Sequence, residues 1–158
     1  MFGSRTTVFV VLLLPGLLGA CGSSDPPGAA PTPPPNTCAK ETRAPAYSAG
    51  ETFTGAANVT IALMDAMPAP PAQGDNTWTL DVKGPDGNPI TDATITLAQR
   101  MVDHNGHPGP KTATITSLGG GSYEAKPVGF SMTGYWENIF DVKTATLEDK
   151  VDVKVCVP

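Results

Sequence analysis

The strongest constraint on this chain is an alternation of apolar and polar side chains, repeated in short blocks between residues 58 and 157. In 58–65, "NVTIALMD", Val59, Ile61 and Leu63 fall on one face; in 76–83, "NTWTLDVK", Trp78, Leu80 and Val82 do the same. Residues 92–99 offer Ile95 and Leu97, and 112–118 offer Ala113 and Ile115. Residues 135–142 align Trp136, Phe140 and Val142, and 150–157 align Val151, Val153, Val155 and Val157. Successive side chains of a strand point to opposite faces, so a period of two marks a strand with one buried face. Helical periodicity is nearly absent.

The blocks are separated by turn chemistry. "GPDGNP" at 84–89 supplies Pro, Asp, Gly and Asn where a tight reversal uses them, and "GGGS" at 119–122 leads into a further short strand, "SYEAKPV". About seven strands at spacings of roughly ten to twenty residues predict a single Ig-like antiparallel β-sandwich. Residues 38–158, 121 in all, suffice for one domain with a modest core. Trp78 and Trp136, on different strands, are its natural large core residues. "MPAPPAQG" at 67–74 carries three prolines, which fits an edge crossing or irregular loop and not a central strand. Asn58-Val59-Thr60 matches a glycosylation sequon and is read as chance.

The first twenty residues follow another logic. Arg5 is their only charge, the apolar run Val8–Leu14 is shorter than the ~20 residues of a spanning helix, and small residues follow. This describes a secretory leader over 1–20. Leu18-Gly19-Ala20-Cys21 resembles the lipobox of bacterial lipoproteins, which implies that Cys21 is lipidated and becomes the mature N-terminus. The segment 21–37 that follows has six prolines between 26 and 35 and no large apolar side chain. Proline fixes φ and donates no hydrogen bond, so such a stretch favours extended conformations and cannot bury enough surface to order itself. It reads as a tether between membrane and domain. Gly22 is not an acidic retention signal, which favours the outer membrane.

With Cys21 given to lipid, Cys38 and Cys156 remain. An even pair in an exported, oxidising setting is most economically a disulfide, closing a loop worth on the order of 4 kcal/mol in the chain-entropy model. The alternative, a metal site, lacks any C-x-x-C spacing. Without Arg5 the chain has nine Lys and Arg against fifteen Asp and Glu, a formal charge of −6. That excess argues against nucleic acid and against an electrostatic hold on anionic lipid. The membrane partner is therefore reached through the lipid.

Several motifs then resemble one family. "PPAQGDNTWTLDVKGPDGNPITDATITL" (70–97), "MVDHNGHPGP" (101–110), "GGGSYEAKPVGFSM" (119–132) and "TGYWENIFDV" (133–142) are similar to the YtkA-like, or FixH-like, domain of bacterial exported proteins. The resemblance spans roughly residues 68–143 and implies an Ig-like sandwich. Some relatives are linked with copper delivery or cytochrome oxidase assembly, so it also implies copper as the cofactor to test.

The residues that could carry such a site lie in "MVDHNGHPGPK", 101–111, which holds both histidines of the chain. His104 and His107 can converge on one ion if the loop curls, with Met101 or Met132 adding a thioether. Imidazole suits copper, zinc and nickel, and a thioether selects for Cu(I). Asp103 could accept the free N–H of a ligating histidine. Against this, Asp103, Asn105, Gly106, Pro108 and Gly109 make an ordinary surface turn with no ligand, and Met64, Met67 and Met132 suit packing. Catalysis finds no support: there is no G-x-S-x-G, no spare cysteine, and "GGGS" lacks the strand-to-helix setting of a phosphate loop. Three readings follow. A non-catalytic binding or accessory module docking an envelope protein through loop 101–111 ranks ahead of a copper-handling protein, because the ligand set is thin; the third is a structural spacer.

Overall fold

The computed structural model describes residues 37–158. The leader at 1–20, the lipidation site Cys21 and the tether as far as residue 36 lie outside the described residues.

Nine strands form: β1 (Glu51–Thr54), β2 (Thr60–Met67), β3 (Gly74–Lys83), β4 (Thr94–Met101), β5 (His107–Pro108), β6 (Thr114–Gly119), β7 (Ser122–Phe130), β8 (Gly134–Lys143) and β9 (Glu148–Val157). The seven blocks of alternation are all strands, displaced by a residue or two. The two additional strands are short edge pieces of four and two residues, too brief to show a period.

The strands build an antiparallel sandwich of one five-stranded sheet, β1-β2-β3-β7-β6, and one four-stranded sheet, β5-β4-β8-β9. Apart from β1, this is the strand order of an Ig-type sandwich, with the β3–β4, β5–β6 and β7–β8 connections switching sheets. "GPDGNP" makes the tight reversal its composition predicts: Gly87 N–H donates to Gly84 O and Gly84 N–H to Asn88 O, both at 2.9 Å. The reversal does not pair β3 with β4, however. After the single Lys83–Pro89 bridge the chain crosses to the opposite sheet. The proline-rich 68–73 connects β2 to β3, which pair with each other.

Alternation places the core as expected. Val59, Ile61, Trp78, Leu80, Val82, Trp136, Phe140, Val142, Val151, Val153 and Val157 are all at 0% exposure. Between the sheets the aromatic rings touch in series: Phe140 to Trp78 at 6.4 Å between centroids, Trp78 to Phe130 at 5.9 Å, and Phe130 edge-on to Trp136 at 5.4 Å. Such tilted and edge contacts suit the ring quadrupoles.

Three polar side chains are buried in phase with this apolar face: Asn76, Asn138 and Asp149. Each is hydrogen-bonded, as burial of a polar group requires. Asn76 donates to Ala72 O (2.8 Å) and accepts from Ala72 N–H (3.0 Å), pinning the proline-rich loop to β3. Asn138 accepts from Gln99 on β4 and donates to Val153 O on β9, both at 2.9 Å. Asp149 Oδ2 accepts from Ala57 and Val59 N–H, each at 3.0 Å, tying the turn before β2 to the opposite sheet.

Candidate functional site

Pairing register places the two histidines and their neighbours at the same end of the sandwich as the disulfide. Across the four-stranded sheet, Met101 lies opposite both His107 on β5 and Trp136 on β8; Trp136 lies opposite Val155, and Tyr135 opposite Cys156. Cys156 is bonded to Cys38 with 5.6 Å between their Cα atoms, so the first described residues are fastened to the end of β9. The connections 68–73 and 131–133 reach the same end, where Gln73 donates to Ser131 O at 2.7 Å.

The loop between β4 and β5 is a single 3-10 turn, Val102–His104, followed by two residues of positive φ, Asn105 (53°) and Gly106 (72°). Asparagine and glycine are the residues that take this left-handed region most cheaply. Gly106 N–H then closes the loop on Met101 O at 3.1 Å. His104 and His107 are both exposed, one on each side of the reversal, and neither imidazole makes a hydrogen bond among the described residues.

The methionines do something different from the histidines. Met101 is only 4% exposed and belongs to the core, its Cε lying 2.7 Å from where a Cβ on Gly134 would stand. Because directly opposed residues share a face, Met101 and His107 are neighbours along the rim. Met132 is half-buried against the core, and its carbonyl accepts the indole N–H of Trp136 at 3.0 Å. Asp103 makes no hydrogen bond to either histidine among the described residues. Its two oxygens accept Nη1 and Nη2 of Arg43, both at 2.7 Å, in a bidentate pair. Among the described residues there is no group of three or more His, Cys, Asp and Glu able to hold a metal ion. Two exposed imidazoles remain, with the Met101 thioether in the core and Asp103 bonded to Arg43.

Arg43 is the residue that sequence reasoning missed. It also binds Glu41 through Nε (2.9 Å) and Nη2 (2.6 Å), and its guanidinium lies 4.3 Å above the ring of Tyr135. The Tyr135 hydroxyl donates to Glu137 at 3.1 Å, and Glu137 in turn accepts from Arg100. One guanidinium thus bolts the N-terminal segment, loop 101–107 and the outer face of β8 together. The electrostatics follow. Hydrogen bonds from Arg43 hold the Glu41 carboxyl down to about 2 and lower that of Asp103, while those two carboxylates keep Arg43 firmly charged. Burial, and then the charge of Glu137, push the Tyr135 phenol well above its usual range. The sequence offers no signal for this clamp, since Arg43 and Asp103 are 60 residues apart and Arg43 sits in an aperiodic stretch.

Beside the clamp is a cleft of about 540 Å3, floored by the disulfide and walled by Ala44, Pro45, Tyr47, Pro70 and Pro158. Its volume is within the range of small-molecule and peptide sites, and its walls are mostly apolar.

No curated protein and no solved structure gives a significant match to the chain. A family model described as YtkA-like matches residues 54–140, from the end of β1 to the middle of β8. It takes in both histidines, Asp103 and Met132 but leaves out Arg43 and both bridged cysteines. With more than half of its length matched, and with the sandwich described above, the chain belongs to the YtkA-like family.

Proposed function

We propose that this protein is a lipid-anchored, non-catalytic accessory module of a bacterial cell envelope, which meets an envelope protein with the disulfide-bearing end of its sandwich. The observation that carries the reading is the Arg43 clamp. It ties loop 101–107 to the segment that lines an apolar cleft, which lessens the ordering a partner would have to impose on binding. The lipobox-like Leu18-Gly19-Ala20-Cys21 supports the anchor, and the net negative charge makes lipid the means of attachment.

A photo-crosslinking side chain at His104 should capture an envelope protein in intact cells, whereas one at Leu118, on the distant β6 edge, should not. Equal capture from both positions, or from neither, would reject the docking end. Mass spectrometry of the membrane-extracted chain should find acylated Cys21; a mature form beginning elsewhere rejects the anchor.

A second reading, copper handling, is supported by the register that sets Met101 opposite His107. It predicts saturable one-to-one Cu(I) binding by the purified chain, abolished by His107→Ala and weakened by His104→Ala. Binding no tighter than millimolar excludes it.

A further inference from the structure

The last strand of the four-stranded sheet is its longest open edge. Among the described residues β9 pairs with β8 alone over Glu148–Lys154. In an antiparallel ladder successive residues turn both main-chain groups alternately toward one neighbour and then the other. Val151 and Val153 are at 0% exposure, main chain included, so their peptide groups face β8. The outward set then belongs to Glu148, Lys150, Asp152 and Lys154, which are exposed or half-exposed; Lys150 N–H meanwhile donates to Asp149 Oδ1 at 2.8 Å and must be released on pairing.

These four residues carry a charge pattern with a centre. In "EDKVDVK" (148–154), Val151 has Lys150 and Asp152 on its two sides, and Glu148 and Lys154 two positions further out. We infer that the chain self-associates through β9, two copies pairing antiparallel about a two-fold axis at Val151. That axis sets Lys150 opposite Asp152 and Glu148 opposite Lys154, each twice by symmetry, giving four pairs of opposite charge. It also matches outward-facing residues with outward-facing residues, as hydrogen bonding requires.

Neighbouring registers lose this match. An axis at Asp152 sets Asp152 against itself and Lys150 against Lys154, and an axis at Lys150 sets Glu148 against Asp152. An axis at Val153 keeps only the two Asp152–Lys154 pairs. Like charges directly opposite one another are destabilising, so the sequence specifies a single register. Charged residues on an edge normally repel a foreign strand; here the pattern repels other strands and complements itself. The remaining edges lack it: β6 bears no charge, and β1 and β5 are four and two residues long. The ion pairs Glu148 and Lys154 now make, with Lys143 at 3.0 Å and Asp152 at 3.9 Å, are surface pairs that rearrange at little cost. Pairing joins two four-stranded sheets into one continuous sheet, an isologous interface that closes at two copies.

Sedimentation velocity of the full chain in mild detergent, over a concentration series, tests this. The expected result is a monomer–dimer equilibrium that weakens with added salt. Lys150→Glu reverses two of the four pairs and weakens the dimer about tenfold or more. Lys154→Glu does the same through Glu148, and serves if the first variant fails to fold by circular dichroism. The exchange Lys150→Asp with Asp152→Lys restores complementarity and dimerisation. A wild-type chain that stays monomeric throughout the series overturns the inference, as does an exchange variant that associates no better than Lys150→Glu.

Discussion

Removal of the Asp149 carboxylate measures how much one inward-pointing charge contributes to this fold. Its Oδ2 accepts from Val59 N–H and Ala57 N–H at 3.0 Å each, and its Oδ1 from Lys150 N–H at 2.8 Å. Val59 is fully buried, so Asp149→Ala strands its N–H without water, at about 1–3 kcal/mol. The Ala57 N–H is partly buried and adds less, and the Lys150 N–H can reach solvent. The total is about 3 kcal/mol, or roughly 12 °C in Tm for a domain of this size. Gly55 supplies the control. A Cβ there would overlap the Asp149 carboxyl group, so Gly55→Ala also destabilises by displacing the carboxylate. In the Asp149→Ala background the same methyl group enters vacated space. The two losses should therefore fall short of adding by more than 1 kcal/mol in a double-mutant cycle, read by urea denaturation with the disulfide intact. Additivity within about 0.5 kcal/mol would refute the account, because it would show the two positions to be independent.

Three further outcomes follow from the geometry. Glu41 and Asp103 have carboxyl groups lowered by Arg43, so their contribution to holding loop 101–107 is complete above the ordinary carboxylate range and is lost as pH falls through the lowered values, toward about 2 for Glu41. The Arg43 Nε–H resonance should stay constant from pH 7 to about 5 and move below it; a change already complete above pH 5 would refute the assignment to these carboxylates. Cys38→Ser with Cys156→Ser opens a covalent loop of 118 residues and should cost on the order of 4 kcal/mol in thermal or urea unfolding; a loss under 1 kcal/mol would contradict the chain-entropy argument. Tyr123→Phe leaves Ile90 O and Ala93 N–H, bonded to the hydroxyl at 2.9 and 3.2 Å, without their partner, and should lower stability by about 1–2 kcal/mol; a neutral result would show that water replaces the hydroxyl.

The fold was legible wherever a strand was long enough to repeat. Four valines in phase at 151–157 announce β9, and Trp78, Leu80 and Val82 announce β3. The same phase could have located Asn76, Asn138 and Asp149, each two residues from a buried neighbour, but polarity hid them from a search for apolar positions. β1 and β5 were illegible because two or four residues carry no period. The change of sheet after "GPDGNP" was hidden too: a reversal motif fixes local backbone geometry and not the sheet to which the next strand docks. At the site, the sequence placed Cys38 with Cys156 through a count of cysteines and assembled the histidine loop from its turn residues. The direction of Asp103 depended on Arg43, a partner 60 residues away, which no local pattern specifies.

The disulfide also sets how the domain would answer a pull. Every strand from β1 to β9, save the last residue of β9, lies between Cys38 and Cys156, while residues up to 37 and the last two, Val157 and Pro158, lie outside the ring. Tension applied at residue 37 and taken up at the C-terminus passes through one sulfur–sulfur bond. It bypasses the hydrogen-bond ladders, and the sandwich hangs from the line of force as a closed loop. Stretched by its ends in an oxidising setting, the chain yields by only a few residues; once reduced, it offers the whole sandwich to the load.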